Sequence, residues 1–242
     1  MSRRLLFIKQ DHVSPTGPVG EAFSDLGYDI TDLLVVPEDR FLEPGVTASF
    51  PDPSDFDVLV PMGAPWSVYD EETIGSWVGD EIAFLRKAHE QHVPVFGICF
   101  GGQALAAALG GEVVRAEAPE IGWRTIQTDR PSLVAAGPWF QWHSDRWRLP
   151  EGTAALARTD LAEQAFVSGT SMGLQFHPEL TPAMLDAWLR NGGEGHAEAL
   201  GIDVEQLVTE TKVHADDAAA RARELVRRFV DQVAQRDHAS TP

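Results

Sequence analysis

One thiol, one imidazole and one carboxylate carry the most chemistry in this chain. Cys99 is the only cysteine among 242 residues, and it lies in Val93-Pro-Val-Phe-Gly-Ile-Cys-Phe-Gly-Gly-Gln103. The residues before it are apolar and β-branched, as a buried strand requires, and those after it, as far as Gly110, read as a helix. The thiol therefore falls on a sharp strand-to-helix turn, which lifts a nucleophile out of a sheet and aims helix N–H groups at it. A helix N-terminus favours thiolate, the reactive form. The flanking glycines suit a strained turn and the close approach of a substrate. A small buried core cysteine fits the same stretch equally well, and the elbow alone does not decide between the two.

The deciding residues lie downstream, in Gly173-Leu-Gln-Phe-His-Pro-Glu179. The spacing predicts a short apolar strand ending in a histidine and a carboxylate two residues apart, and side chains at i and i+2 on a strand share a face. Glu179 can then hold the tautomer of His177 and stabilise its protonated form, while His177 takes the proton of Cys99. Nucleophile, base and orienter are thus all present.

Together, Gly97-Ile-Cys-Phe-Gly-Gly-Gln103 and Gln175-Phe-His-Pro-Glu179 resemble the paired motifs of the class I glutamine amidotransferase domain. The likeness is greatest to the amidotransferase domain of GMP synthase and its free-standing relatives. Two more segments match. Pro61-Met-Gly-Ala-Pro-Trp-Ser-Val-Tyr-Asp70 resembles the family's oxyanion loop, and Phe140-Gln-Trp-His-Ser-Asp-Arg-Trp147 resembles the strand and loop lining the glutamine pocket. The resemblance implies Cys99, His177 and Glu179 as the catalytic residues, and glutamine or another γ-glutamyl compound as substrate. It implies a γ-glutamyl thioester intermediate and no cofactor. It assigns the oxyanion hole to the backbone N–H groups of Phe100 and Ala64, and substrate contacts to Gly63, Gln103, Trp142, His143, Ser144 and Asp145. Ala64 departs from the pattern, since the family usually has a second glycine there; if that position demands positive φ, the alanine is strained. With no P-loop or synthetase domain in the sequence, released ammonia has to serve a separate acceptor enzyme. The alternative is a γ-glutamyl peptidase that works without a partner.

Two competing readings of these residues fail. His143-Ser144-Asp145 is not a hydrolase triad, because neighbours on a strand point to opposite faces. His143, His177 and Glu179 suggest metal ligands, but none of the eight histidines has HExxH or paired Cys/His spacing, so no metal is assigned.

These residues need a scaffold, and composition bounds it. The hydrophobic fraction of 43% can supply a sizeable core. The net charge of −18 repels phosphate backbones and anionic lipid, so nucleic acid and membrane surfaces are excluded as expected partners. A lone cysteine and the lack of a signal-peptide pattern predict a cytoplasmic protein. Strands are expected at Leu5–Ile8, within Asp29–Val36 and at Phe56–Pro61. A Pro/Gly-rich loop is expected over Asp11–Gly20, then helices from Glu21 to Leu26 and from Thr73 to Glu90. This alternation predicts an α/β fold: a mostly parallel sheet with helices on both faces, flavodoxin-like as in class I amidotransferases. From Glu112 to Ala157, shorter strands and frequent turns are expected, with room for antiparallel pairing. Thr181-Pro182 starts a further helix, Asp203 to Gln206 is a capping-box pattern, and Asp216 to Gln235 is amphipathic. The expected division is an amidotransferase-like domain over 1–190 and a C-terminal helical extension, 191–242, packed on it, fraying from about Arg236.

Overall fold

The apolar runs become a row of parallel strands with both faces covered. The computed structural model describes residues 3–235, so the fraying expected from Arg236 lies outside the described residues. Ten strands form: β1 (Arg3–Lys9), β2 (Tyr28–Leu34), β3 (Val58–Pro61), β4 (Val95–Ile98), β5 (Glu112–Arg124), β6 (Gln127–Thr128), β7 (Trp139–Arg148), β8 (Ala155–Arg158), β9 (Glu163–Ser168) and β10 (Ser171–Leu174). Eight of them make one sheet in the order β2-β1-β3-β4-β10-β9-β8-β6. Pairing is parallel from β2 to β10 and antiparallel from there to β6. Along β1, Leu5 and Phe7 enter one core while Leu6 and Ile8 enter the other. A strand buried on both faces reads as an unbroken apolar run for this reason.

Four helices cover the sheet. On one face lie α1 (Gly17–Asp25) and α7 (Val204–Gln232), through Phe23 and Phe229; on the other lie α3 (Val78–Glu90) and α4 (Phe100–Ala108), through Leu85 and Leu105. Phe229 meets Phe96 of β4 at 5.0 Å between ring centres. Burial of one such ring stabilises by roughly 1.5–3 kcal/mol.

Four expectations change. Helix α1 begins at Gly17, inside the expected loop, because Pro18 occupies its first turn, where a missing N–H costs nothing. The helix expected over Thr73–Glu90 is two, α2 (Glu71–Ile74) and α3, broken where Trp77 turns its indole inward to donate to the Pro44 carbonyl at 2.9 Å. β5 and β7 are the two longest strands, 13 and 10 residues, and pair as a separate antiparallel sheet with a bulge between Arg115 and Glu120. Helix α7 is continuous from Val204, and only half its capping box forms: Asp203 accepts the Gln206 N–H, while the Gln206 side chain turns to Glu210. The start of α5 (Pro182–Trp188) is as expected, with Thr181 Oγ1 accepting the Met184 N–H at 3.1 Å. Among the described residues, no helix is long and apolar enough to cross a membrane.

Candidate active site

Register brings the motifs together. In the parallel pair β4–β10, Ile98 is the partner of Leu174, so Cys99 and Gln175 leave the sheet side by side. The Cys99 N–H donates to the Leu174 carbonyl at 2.7 Å. Cys99 has φ 49° and ψ −108°, a conformation that costs a side-chain-bearing residue energy and that packing must enforce. Part of that packing is helix α4 set against β3: a Cβ at Gly101 would stand 2.1 Å from the Pro61 carbonyl oxygen.

His177 and Glu179 meet as expected, but through a loop. Strand β10 ends at Leu174, and the five residues that follow run on past the sheet. The His177 N–H donates to the Phe140 carbonyl at 2.9 Å, and Nδ1 lies 2.8 Å from Glu179 Oε1. The loop is pressed against the start of α1, where Gly17 has φ +48° and a Cβ would stand 2.0 Å from the Glu179 carbonyl oxygen. Burial is the largest influence on the His177 ring and opposes its charge, but Glu179 and Cys99 together outweigh it and push the ring up to about 10. Trp188 of α5 closes on the ring, 4.9 Å between centres and nearly edge-on. The Cys99 sulfur points at the Trp142 carbonyl, 3.9 Å away, and His177 Nε2 has no hydrogen bond of good geometry among the described residues. Such contacts often tighten only when substrate arrives.

Ten of the eleven expected site residues line one cleft of about 510 Å³: Gly63, Ala64, Cys99, Phe100, Gln103, Trp142, His143, Ser144, Asp145 and His177. Glu179 stands behind His177, fully buried. Ala64 is not in the left-handed region, so the strain considered for it does not arise. Among the described residues, neither the Phe100 nor the Ala64 N–H has a protein acceptor.

The far wall of the cleft is a polar network. Asp145 accepts from Ser67 Oγ and, at 2.8 Å, from Tyr69 Oη, and Arg115 lies 3.7 Å from it. His143 Nδ1 lies 3.0 Å from the Asp145 main-chain oxygen. On its other side, His143 faces Glu120 at 3.3 Å, and Glu120 also accepts from Thr159 and Gln164. Sequence reasoning missed Arg115, Glu120, Asp11 and Trp188. Glu120 and Arg115 flank a bulge that alternation cannot reveal. Trp188 sits in an apolar helical pattern that reads as core. Burial pushes the Asp11 carboxyl up, against hydrogen bonds from Ser14 and Val13.

A cysteine on a strained strand-to-helix elbow, a histidine–glutamate pair beyond the neighbouring strand and two free N–H groups define an α/β protein built for thiol-based acyl chemistry. The sequence model of the family described as glutamine amidotransferase class-I matches residues 41–192, and the chain belongs to that family. The chain is 32% identical over 161 residues to the amidotransferase-bearing subunit of the glutamine-hydrolyzing GMP synthase of Sulfolobus acidocaldarius, covering 61% of this chain and 82% of that one. It is 31% identical over 202 residues to the glutamine-hydrolyzing GMP synthase of Anaplasma marginale, covering 71% of this chain but 37% of that longer protein. Crystal structures of glutamine amidotransferases share the fold. The one from Methylobacillus flagellatus aligns with TM-score 0.82, full coverage of both chains and 23% identity. The one from Thermotoga maritima aligns with TM-score 0.80 over 96% of this chain and all of that one, at 24% identity.

Proposed function

We propose that this protein hydrolyses the side-chain amide of glutamine and supplies the ammonia to a separate acceptor enzyme in the cytoplasm. The carrying observation is the convergence of Cys99, His177 and Glu179 at the ends of β4 and β10 within one cleft. In this reading the Cys99 sulfur attacks the amide carbon and its proton passes to His177, whose charge Glu179 answers. The tetrahedral oxygen is received by the free N–H groups of Phe100 and Ala64. The imidazolium then protonates the departing nitrogen, ammonia leaves, and water attacks the γ-glutamyl thioester with His177 as base. Both N–H groups of the Gln103 amide are spent inside the protein, so its oxygen is what it offers to substrate. That oxygen and the Asp145 carboxylate suit an α-ammonium group, and Arg115 beside them suits an α-carboxylate. We also propose that residues 1–190 form the amidotransferase unit and 191–242 an extension packed on it, a division supported by the family match ending at 192.

A diazo-ketone analogue of glutamine is expected to add one label per chain, at Cys99; labelling that survives in Cys99→Ala sinks the assignment. Ammonia release from glutamine is expected to be weak in the isolated chain, because the thiol points at the Trp142 carbonyl, and to rise when the acceptor enzyme is added. Rapid cleavage of γ-glutamyl peptides with no activity on glutamine would replace this reading with the partner-free peptidase.

A further inference from the structure

Between the cleft wall and the nucleophile runs a chain of side-chain amides that the proposed reaction leaves unused. Gln175 is fully buried. Its Nε2 lies 3.7 Å from Cys99 Sγ, and its Oε1 lies 3.3 Å from Nε2 of Gln103. The same Gln103 nitrogen donates to the main-chain oxygen of Asp145 at 3.2 Å. The two ends of an amide are alike in shape, so only hydrogen-bond partners set its direction. Here one end is fixed, because a main-chain carbonyl can only accept. Gln103 must turn its NH₂ toward Asp145, and that NH₂ then requires the oxygen of Gln175. The N–H of Gln175 is left facing the sulfur. Turning Gln175 over would oppose two NH₂ groups, and turning Gln103 over would oppose two oxygens. Either leaves buried polar groups unpaired, which costs more than the bond itself contributes.

We infer that Gln175 is a positioning residue that holds Cys99 in its thiolate form, through an N–H donor whose direction is locked by Gln103 and the Asp145 carbonyl. A hydrogen bond donated to the charged form of a buried group favours that form, and donors to charged acceptors are the strong ones. The inference rests on Cys99 being the nucleophile and deepens that reading.

The test reads the thiolate without any turnover. Iodoacetamide alkylates Cys99, the sole cysteine, and intact mass follows the reaction. Gln175→Met keeps volume and loses the donor; Gln175→Glu keeps shape and turns oxygen toward the sulfur. Alkylation at pH 7 should slow about tenfold to a hundredfold in both variants. Rates should then converge with wild type at a pH high enough to ionise every thiol. A wild-type rate at pH 7 overturns the inference. So does a deficit that persists on the high-pH plateau, since that reports lost access. Should the buried Gln175 variants not fold, Gln103→Met frees Gln175 to turn and carries the same test with the same two overturning results. Failure of the nucleophile reading shows differently, as diazo-ketone labelling that persists in Cys99→Ala.

Discussion

Glu179 and Glu81 are both fully buried, yet their surroundings differ in one respect that decides their behaviour. Glu179 faces an imidazole at 2.8 Å, and its negative charge helps push His177 up to about 10. Glu81, on α3, faces the neutral amide of Gln10 at 2.7 Å. Burial dominates there and pushes the Glu81 carboxyl up to about 8, with the Gln10 N–H only partly opposing it. Glu81 Oε2 and Gln10 Oε1 both lack a partner, and a proton on Glu81 supplies the donor that two facing oxygens need. The lesson is that burial alone turns a carboxylate into a neutral acid, whereas burial against a cationic partner makes it a tool for holding charge.

The sharpest way to break this contrast is by turnover. His177→Ala should cost about a million-fold in the rate of glutamine hydrolysis. Glu179→Ala should cost less, about ten-thousand-fold, because an orienter only biases tautomer and geometry. Glu81→Gln should leave the rate within about twofold, since a neutral amide replaces a neutral acid. A loss in Glu81→Gln rivalling that of Glu179→Ala would erase the distinction.

Stability against pH sharpens it next. The unfolded chain releases the Glu81 proton near 4.5 while the folded chain holds it to about 8, so folding stability falls as pH rises through that window. The slope is about 1.4 kcal/mol per pH unit. His177 adds a fall of the same sign only above 6.5, where the unfolded ring loses its proton. Urea unfolding between pH 5 and 6.5 therefore isolates Glu81. The stability difference between wild type and Glu81→Gln should change across that interval at about the slope given, and a constant difference would refute the protonated Glu81. The smallest effect belongs to Asp11, whose carboxyl burial also raises but which Ser14 and Val13 partly satisfy. Asp11→Asn should remove a slope of the same sign, shallower than that of Glu81.

The sequence discloses the two carboxylates unequally. The Cys99 elbow is legible because its needs are local: an apolar run, a turn and small residues beside it. The His177–Glu179 pair is legible as spacing, although a loop delivers it where a strand was expected. Glu81 is invisible, since one acidic residue in an amphipathic helix reads as a solvated face, and only the inward turn of Trp77 and the packing of α3 reveal the burial. The β5–β7 sheet is equally hidden, because its bulge breaks the alternation that would announce two long strands. Gln175 shows in the motif as a letter, but its direction depends on the Asp145 carbonyl, which belongs to a strand of the other sheet.

Phe229 has a practical consequence for anyone trimming this protein. The recognisable family sequence stops at residue 192, but the ring of Phe229 rests on Phe96, three residues ahead of the nucleophile on the same strand. A fragment cut at the family boundary would keep every residue proposed to do chemistry and strip the backing from the strand that presents one of them. It would also bare Phe23 and Phe96 to water, inviting aggregation. For expression, for fusion to an acceptor enzyme or for grafting the site elsewhere, the last helix belongs with the motif it never appears beside in sequence.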